Sequence, residues 1–486
     1  MGICSVPFLI LIGGLLAVYY GLPAKLRGLQ KWVLLAASIG FYASFGLIPL
    51  IYAAVTAASC YGAGLLIQRS PERKKLWVAL DLIVTLGLLL LLKYRGFFNH
   101  VFLRGAPGIA DRWPGLARNL VLPVGISFYT LTALGYTLDV ARGKIPAERN
   151  IFRFLLFVFY FPHILQGPIA RYDRLTPQLC AEHGFDWERF VRGLERMLWG
   201  YFKKLVIADR AAILVDAVYT HAAVRGGTEL FLASLLYTLE IYADFSGCVD
   251  ILGGVSELFG VSLDPNFRQP YLARSLNEFW RRWHISLSTW FRDYVYIPLG
   301  GNRKGAARRW VNLLVVFLIS GFWHGAGWNF ILWGAFHGVF QLLEDLFYRK
   351  VLKRRPEEVP QKLRWLQQAV TFNAVSLAWI FFRVPSLRTA LKIIRAILLR
   401  PSLWILGGEM FSFGLGAPEL LVLLTATLLL FAVDTMNSRG VSGRDVLAGQ
   451  PAAVRWLTLL AGLAATLIFG VYGLEFNAGT FIYMQF

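Results

Sequence analysis

Apolar runs of about 18 to 22 residues recur along the chain, each long enough to cross a hydrocarbon core of roughly 30 Å as a helix. The clearest extend over Trp32–Tyr52, Leu76–Leu92, Leu230–Tyr242, Trp310–Trp323, Phe330–Leu343, Leu420–Val433 and Trp456–Tyr472. Several fall short of a full span, so tilted or partial helices are expected. An earlier run, Val6–Leu22, has no basic stretch before it and no A-x-A site, which predicts a retained first helix instead of a cleaved signal. Basic clusters separate the runs at Lys25–Lys31, Arg69–Lys75, Arg189–Lys204, Arg303–Arg309 and Arg349–Arg355, as in cytoplasmic loops and interfacial helices. The pattern predicts an all-α protein that crosses a membrane many times. No repeat, low-complexity tract or linker divides it, so a single domain is expected.

The middle of the chain departs from this pattern. Between Pro123 and His337 the apolar stretches carry Gly, Pro, His, Asp, Asn and Arg at a density that a lipid-facing helix would not accept. Each charge at the bilayer centre costs at least about 2.5 to 3.5 kcal/mol. Several together imply a protein-lined or watered cavity, with helices broken at Pro and Gly. Within this region Trp280–Tyr294, treated as one helix turning about 100° per residue, groups Arg281, His284, Ser288 and Arg292 in an arc of roughly 80°. Phe279, Trp283, Leu287, Trp290, Phe291 and Tyr294 fall on the opposite side. Such a helix either aims cations and one histidine at a polar interior or lies in the interface with a solvated basic face.

Composition agrees: 57% of the 486 residues are hydrophobic and 16% charged, so water is not the solvent for most of the surface. The net charge of +20 would suggest a nucleic-acid partner in a soluble protein. Here it belongs to the loops between spans, and no nucleic acid is expected. Cys4, Cys60, Cys180 and Cys248 lack pairing or metal spacing, so neither disulfides nor zinc is expected.

His324 lies in SGFWHGAGWNFILWGAFHG (Ser320–Gly338), where Phe322, Trp323 and Trp328 supply aromatic surface. Desolvation there would keep the imidazole neutral, with a nitrogen able to take a proton from a hydroxyl nucleophile. The alternative is a structural histidine bonded to a backbone carbonyl between helices. Gly325 and Gly327 permit a helix break or a close approach to the backbone. On an unbroken helix His337 would lie about 220° around from His324, which leaves it a packing residue or a support. His284 belongs to another element, and no HExxH or Cys/His spacing points to a metal. Asp244 and Asp250 in YADFSGCVD, and Asp293 beside Arg292, are acidic candidates whose stronger alternative is ion pairing with arginines. Leu122–Gly143 and Phe161–Tyr172 mix small, aromatic and polar residues as a tunnel wall or as tightly packed irregular helices, with His163 and Gln166 as candidate lining.

Five pieces in order, LPVGISFY, YADFSG, NFRQPY (Asn266–Tyr271), NEFWRRWHISLSTWFRDYVYIPLGGNR (Asn277–Arg303) and the WHG of Trp323–Gly325, carry a resemblance that runs nearly end to end. The sequence resembles the membrane-bound O-acyltransferases, in the branch of alginate O-acetylation. The resemblance implies that His324 is the catalytic histidine and His284 the second histidine of the signature. It implies one domain over 1–486, with a catalytic core at about 120–345, and about 11 transmembrane helices with re-entrant or interfacial helices around a central funnel and tunnel. The substrate would be cytoplasmic acetyl-CoA, with no bound cofactor and no metal. Arg281, Arg282 and Arg292, with Arg303 and Lys304 nearby, would hold its phosphates. Asn277, Ser288, Trp323 and Asp244 are further candidates for the donor tunnel. A bacterial cytoplasmic membrane, its lipid, an extracytoplasmic SGNH-hydrolase-type acetyltransferase and a polysaccharide synthase complex are the implied surroundings.

The C-terminal tail at 476–486 ends in GTFIYMQF and resembles the aromatic tail of the small helper peptide of teichoic-acid D-alanylation. Tyr483 would then accept the acyl group, because a phenol with a pKa of about 10 forms an ester still activated for a second transfer. The alternative is an aromatic anchor at the interface. A transporter or channel and a non-catalytic scaffold for a separate acetyltransferase are the rival functions.

Overall fold

The computed structural model of the chain describes residues 2–94, 121–402, 411 and 413–472. Among the described residues the regular elements are helices, which satisfy their own backbone polar groups as a hydrocarbon solvent requires. They fall into two compact units, Met1–Met197 with Leu252–Asp264 and Leu198–Ile251 with Pro265–Phe486.

The chain begins with α1 (Val6–Gly21), α2 (Gln30–Ala43), α3 (Leu47–Arg69) and α4 (Lys74–Lys93). Then come α5 (Ile126–Ala141), α6 (Ile151–Phe159), α7 (Tyr172–Cys180) and α8 (Trp187–Tyr201). The next are α9 (Asp209–Thr220), α10 (Gly227–Leu258), α11 (Leu276–Arg282) and α12 (Ile285–Phe291). The last six are α13 (Gly305–His324), α14 (Trp328–Leu346), α15 (Arg364–Arg383), α16 (Leu387–Leu399), α17 (Ala417–Ser438) and α18 (Ala452–Phe469). Among the described residues five spans are long and apolar enough to cross a membrane: α3, Pro71–Lys93, α13, α17 and α18. The outer surface of α18 shows why: Leu457, Leu460, Leu467 and Ile468 are all exposed, a face that only lipid would cover without penalty.

Two apolar runs take a different form from the one expected. Trp32–Tyr52 is not one helix, since α2 stops at Ala43 and α3 starts at Leu47. Gly46 between them has φ 119°, a backbone state open to glycine and closed to most side chains. Leu230–Tyr242 is the middle of the 32-residue α10.

In the first unit α5 is buried along almost its whole length and packs on α3 and α4. Gly125 at its start has φ +76°, and a Cβ there would stand 2.4 Å from the carbonyl oxygen of Ile164. His163 shares a hydrogen bond of 2.7 Å between its Nε2 and the Phe157 carbonyl, the local packing role.

In the second unit a π-helical turn, Phe202–Ala208, carries two buried lysines. Lys203 bonds Asp250 at 2.6 Å and Ser246 at 2.9 Å; Lys204 bonds Asp244 at 2.6 Å and Asp209 at 2.8 Å. Asp244 and Asp250 therefore pair as expected, but with lysines instead of arginines, while Asp293 pairs with Arg292 at 2.9 Å. π turns break the ordinary ladder and often mark functional places. Here the turn lets consecutive lysines serve different carboxylates.

Candidate active site

All of the geometry that follows lies within the second unit. α13 and α14 form a tight antiparallel hairpin. A Cβ at Gly321 would stand 2.3 Å from the Phe330 carbonyl oxygen, and one at Gly334 would stand 2.2 Å from that of Phe317. The helices therefore touch backbone to backbone. The break between them falls at Gly325 and Gly327, whose φ values of −164° and −152° are extended and open to any residue. Glycine is required there by contact: a Cβ on Gly325 would enter the Phe330 ring at 2.2 Å. Asn329 anchors the turn by donating to the carbonyls of Phe381 and Val384, both at 3.1 Å.

His324 is the last residue of α13 and is 3% exposed. Its ring lies 4.8 Å from Trp323, 5.0 Å from Trp333 and 5.3 Å from Phe382, all edge-on. The aromatic enclosure is real and includes the expected Trp323, but its other members differ. Trp328 points outward, 56% exposed, and Trp333 and Phe382 take its place.

The break also changes the position of His337. Because α14 returns beside α13, His337 is not on the far side of one helix. It lies 5.0 Å from Trp333, the ring that also meets His324, and so within about 10 Å of His324.

Trp280–Tyr294 is not a continuous helix. α11 ends at Arg282, Trp283 is extended, His284 has φ 45°, α12 ends at Phe291, and a π turn covers Arg292–Tyr296. Asn266 fixes the break. Its backbone carbonyl accepts from Ile285 N at 3.0 Å, and its side-chain oxygen accepts from Ser286 N at 3.0 Å and meets His284 Nδ1 at 3.4 Å. His284 is thereby separated from the other three residues expected on its face. His284 turns inward, 1% exposed, edge-on to Phe245 at 4.9 Å and 6.3 Å from Trp323. Burial pushes its imidazole down to about 3, so it is neutral at ordinary pH. Phe279, Trp283, Leu287, Trp290, Phe291 and Tyr294 are buried.

Arg281, Ser288 and Arg292 instead face a cavity of about 1140 Å³, together with Asn277. Seven arginines and four acidic residues line it, which leaves the cavity basic. Asp345 engages Arg309 and Arg349, whereas Arg281 is exposed with no ion pair among the described residues. The inner wall is formed by Trp280, Phe317, Ser320 and Gln341. Ser320 precedes His324 by one turn of α13, roughly 6 Å along the axis. Arg282 pairs with Glu278, Asp244 with Lys204, and Arg303 and Lys304 are exposed outside the cavity lining. Tyr483 lies outside the described residues. Asn266 is the positioning residue whose role sequence reasoning missed; its signal was its place in NFRQPY.

Residues 83–386 match the family model of the membrane-bound O-acyltransferase family. The chain is 37% identical over 430 residues to a probable alginate O-acetylase of Azotobacter vinelandii, covering 85% of this chain and 80% of that protein. It is 34% identical over 397 residues to a peptidoglycan O-acetyltransferase of Helicobacter pylori, covering 76% and 73%. A teichoic acid D-alanyltransferase of Bacillus subtilis is 26% identical over 299 residues, covering 56% and 73%. With a matched model over more than half its length and relatives aligned over most of it, this chain belongs to the membrane-bound O-acyltransferase family and is a membrane-embedded O-acyltransferase.

Proposed function

We propose that the protein moves an acetyl, or other short acyl, group from cytoplasmic acetyl-CoA toward O-acetylation of an extracytoplasmic polysaccharide, with His324 as general base. The observation that carries this reading is the arginine-lined cavity whose inner wall ends one helical turn from an aromatic-enclosed histidine. The nucleotide phosphates suit the guanidinium groups of Arg281 and Arg292 and the basic rim at Arg354 and Arg355. The thioester arm then runs along Trp280, Phe317 and Ser320 toward His324.

His324 takes the proton of the acceptor hydroxyl as its oxygen attacks the thioester carbonyl carbon. The tetrahedral adduct collapses, the C–S bond breaks, and the imidazolium returns its proton to the departing thiolate. His284 supports the arrangement as a neutral group beside Trp323. The relatives bear names of polysaccharide and cell-wall acyltransferases, which supports a polymer acceptor beyond the membrane. In this reading Tyr483 relays the acyl group to an SGNH-hydrolase-type partner beside a polysaccharide synthase, in the cytoplasmic membrane of a bacterium. About eleven crossings around a funnel and tunnel complete the picture, with a core at about 120–345.

The test gives radiolabelled acetyl-CoA to the purified wild-type chain, His324→Ala and Tyr483→Phe. Thioester cleavage at least about a hundredfold slower in His324→Ala is expected, with label on wild-type Tyr483 and none in Tyr483→Phe. Equal cleavage by wild type and His324→Ala would remove the general base. Flux of acetyl-CoA without cleavage would favour a transporter.

A further inference from the structure

His337 is 0% exposed, and neither of its ring nitrogens has a hydrogen-bond partner among the described residues. Five aromatic rings surround it: Trp280 at 5.0 Å, Trp333 at 5.0 Å, Phe317 at 6.0 Å, Phe336 at 5.9 Å and Trp379 at 6.4 Å. The indole Nε1 atoms of Trp280, Trp333 and Trp379 are likewise buried and without a hydrogen-bond partner among the described residues. Buried indole and imidazole groups ordinarily find partners, and each one left unmade is a free-energy loss. Phenylalanine would fill such a box without that loss. A site that keeps a histidine where an apolar ring would be more stable breaks a folding rule in the way functional sites do.

The box shares a wall with the cavity. Trp280 and Phe317 belong to both, as the cavity's inner wall and as the rings against His337. Gln341, one turn further along α14, also lines the cavity. His337 therefore sits one side chain behind the wall, beside the path between the arginines and His324. The unused groups amount to three indole donors and an imidazole, which in neutral form adds one donor and one acceptor. Donors in excess with a single acceptor match a secondary amide, whose carbonyl accepts and whose N–H donates. The two histidine rings lie within about 10 Å of each other, the bound set by their distances to Trp333, and an amide a short way along the chain from the thioester carbonyl is a feature of the pantetheine arm of a CoA thioester.

Resting on the acyl-CoA reading above, we propose that His337 is a donor-binding residue: with Trp280 turned aside, its imidazole hydrogen-bonds an amide of the pantetheine arm and holds the thioester in register with His324.

The experiment measures acetyl-CoA affinity and thermal stability on the full chain in detergent, for wild type, His337→Phe and His337→Gln. His337→Phe keeps ring volume and removes the unsatisfied nitrogens, so its Tm should equal or exceed that of wild type while acetyl-CoA binds about tenfold more weakly. His337→Gln keeps a donor and an acceptor and should bind within about threefold of wild type. A ring needed only for packing would move stability and affinity together. Should the Phe variant fail to accumulate, His337→Leu replaces it in the same comparison. Wild-type affinity in the apolar variant overturns the proposal, as does an equal loss in the apolar and Gln variants. If wild type cleaves acetyl-CoA but His337→Phe binds it equally well, only the His337 assignment falls. If wild type does not bind acetyl-CoA, the donor reading falls and takes this proposal with it.

Discussion

His284 holds a left-handed backbone, φ 45°, that costs a non-glycine residue about 1 to 3 kcal/mol and persists only where its surroundings impose it. Asn266 and the Phe245 ring do so here. Neither is near it in sequence, so a helical wheel drawn through Trp280–Tyr294 had no means of anticipating the break. The aromatic enclosure of His324 was legible in part, because Trp323 adjoins it in the chain; Trp333 and Phe382, which complete it, come from other helices. Burial lowers the His284 imidazole from 6.5 to about 3. Between those values the unfolded chain binds a proton that the folded one refuses, so stability falls as pH drops from 6.5 toward 3. The slope is at most about 1.4 kcal/mol per pH unit. Thermal melts from pH 7.5 to 5 should show this decline, and His284→Gln should make it shallower. An unchanged slope in the variant would assign the decline to other groups.

At the scale of elements, α13 and α14 were both expected, but the hairpin they form depends on glycines that a span prediction treats as neutral. Gly334→Ala gains up to about 1 kcal/mol of helix propensity. Against that, the new Cβ would stand 2.2 Å from the Phe317 backbone oxygen, and overpacking of this kind costs about 1 to 3 kcal/mol or more. Backbone cannot rotate away as a side chain can, so the clash wins. Gly334→Ala should lower Tm and, on the mechanism proposed above, slow acyl transfer by displacing His324. Gly40→Ala on α2, where a Cβ meets nothing within 4 Å, should leave Tm unchanged or higher. Equal behaviour of the two variants in melts and transfer assays would show that the hairpin contact does not govern the site.

Across the whole molecule, the excess of basic residues and the apolar helices assign the solvent of each surface. If the arginine-lined cavity receives a cytoplasmic donor, its rim belongs on that side. Arg355→Cys, exposed at the rim, in a chain with its other cysteines replaced, should react with an impermeant maleimide only after cells are permeabilised. Labelling in intact cells would reverse the orientation. What the sequence determined alone is what local composition can encode: helices throughout the described residues, a hydrocarbon solvent, and part of the aromatic surface around His324. Only the tertiary structure decided that His284 and Arg281 part company, that His337 comes beside the wall of the arginine cavity, and which rings enclose His324. Those facts depend on backbone contacts between helices distant in the chain, made where glycines let them touch, and no pattern of apolar and polar positions records which helix will arrive.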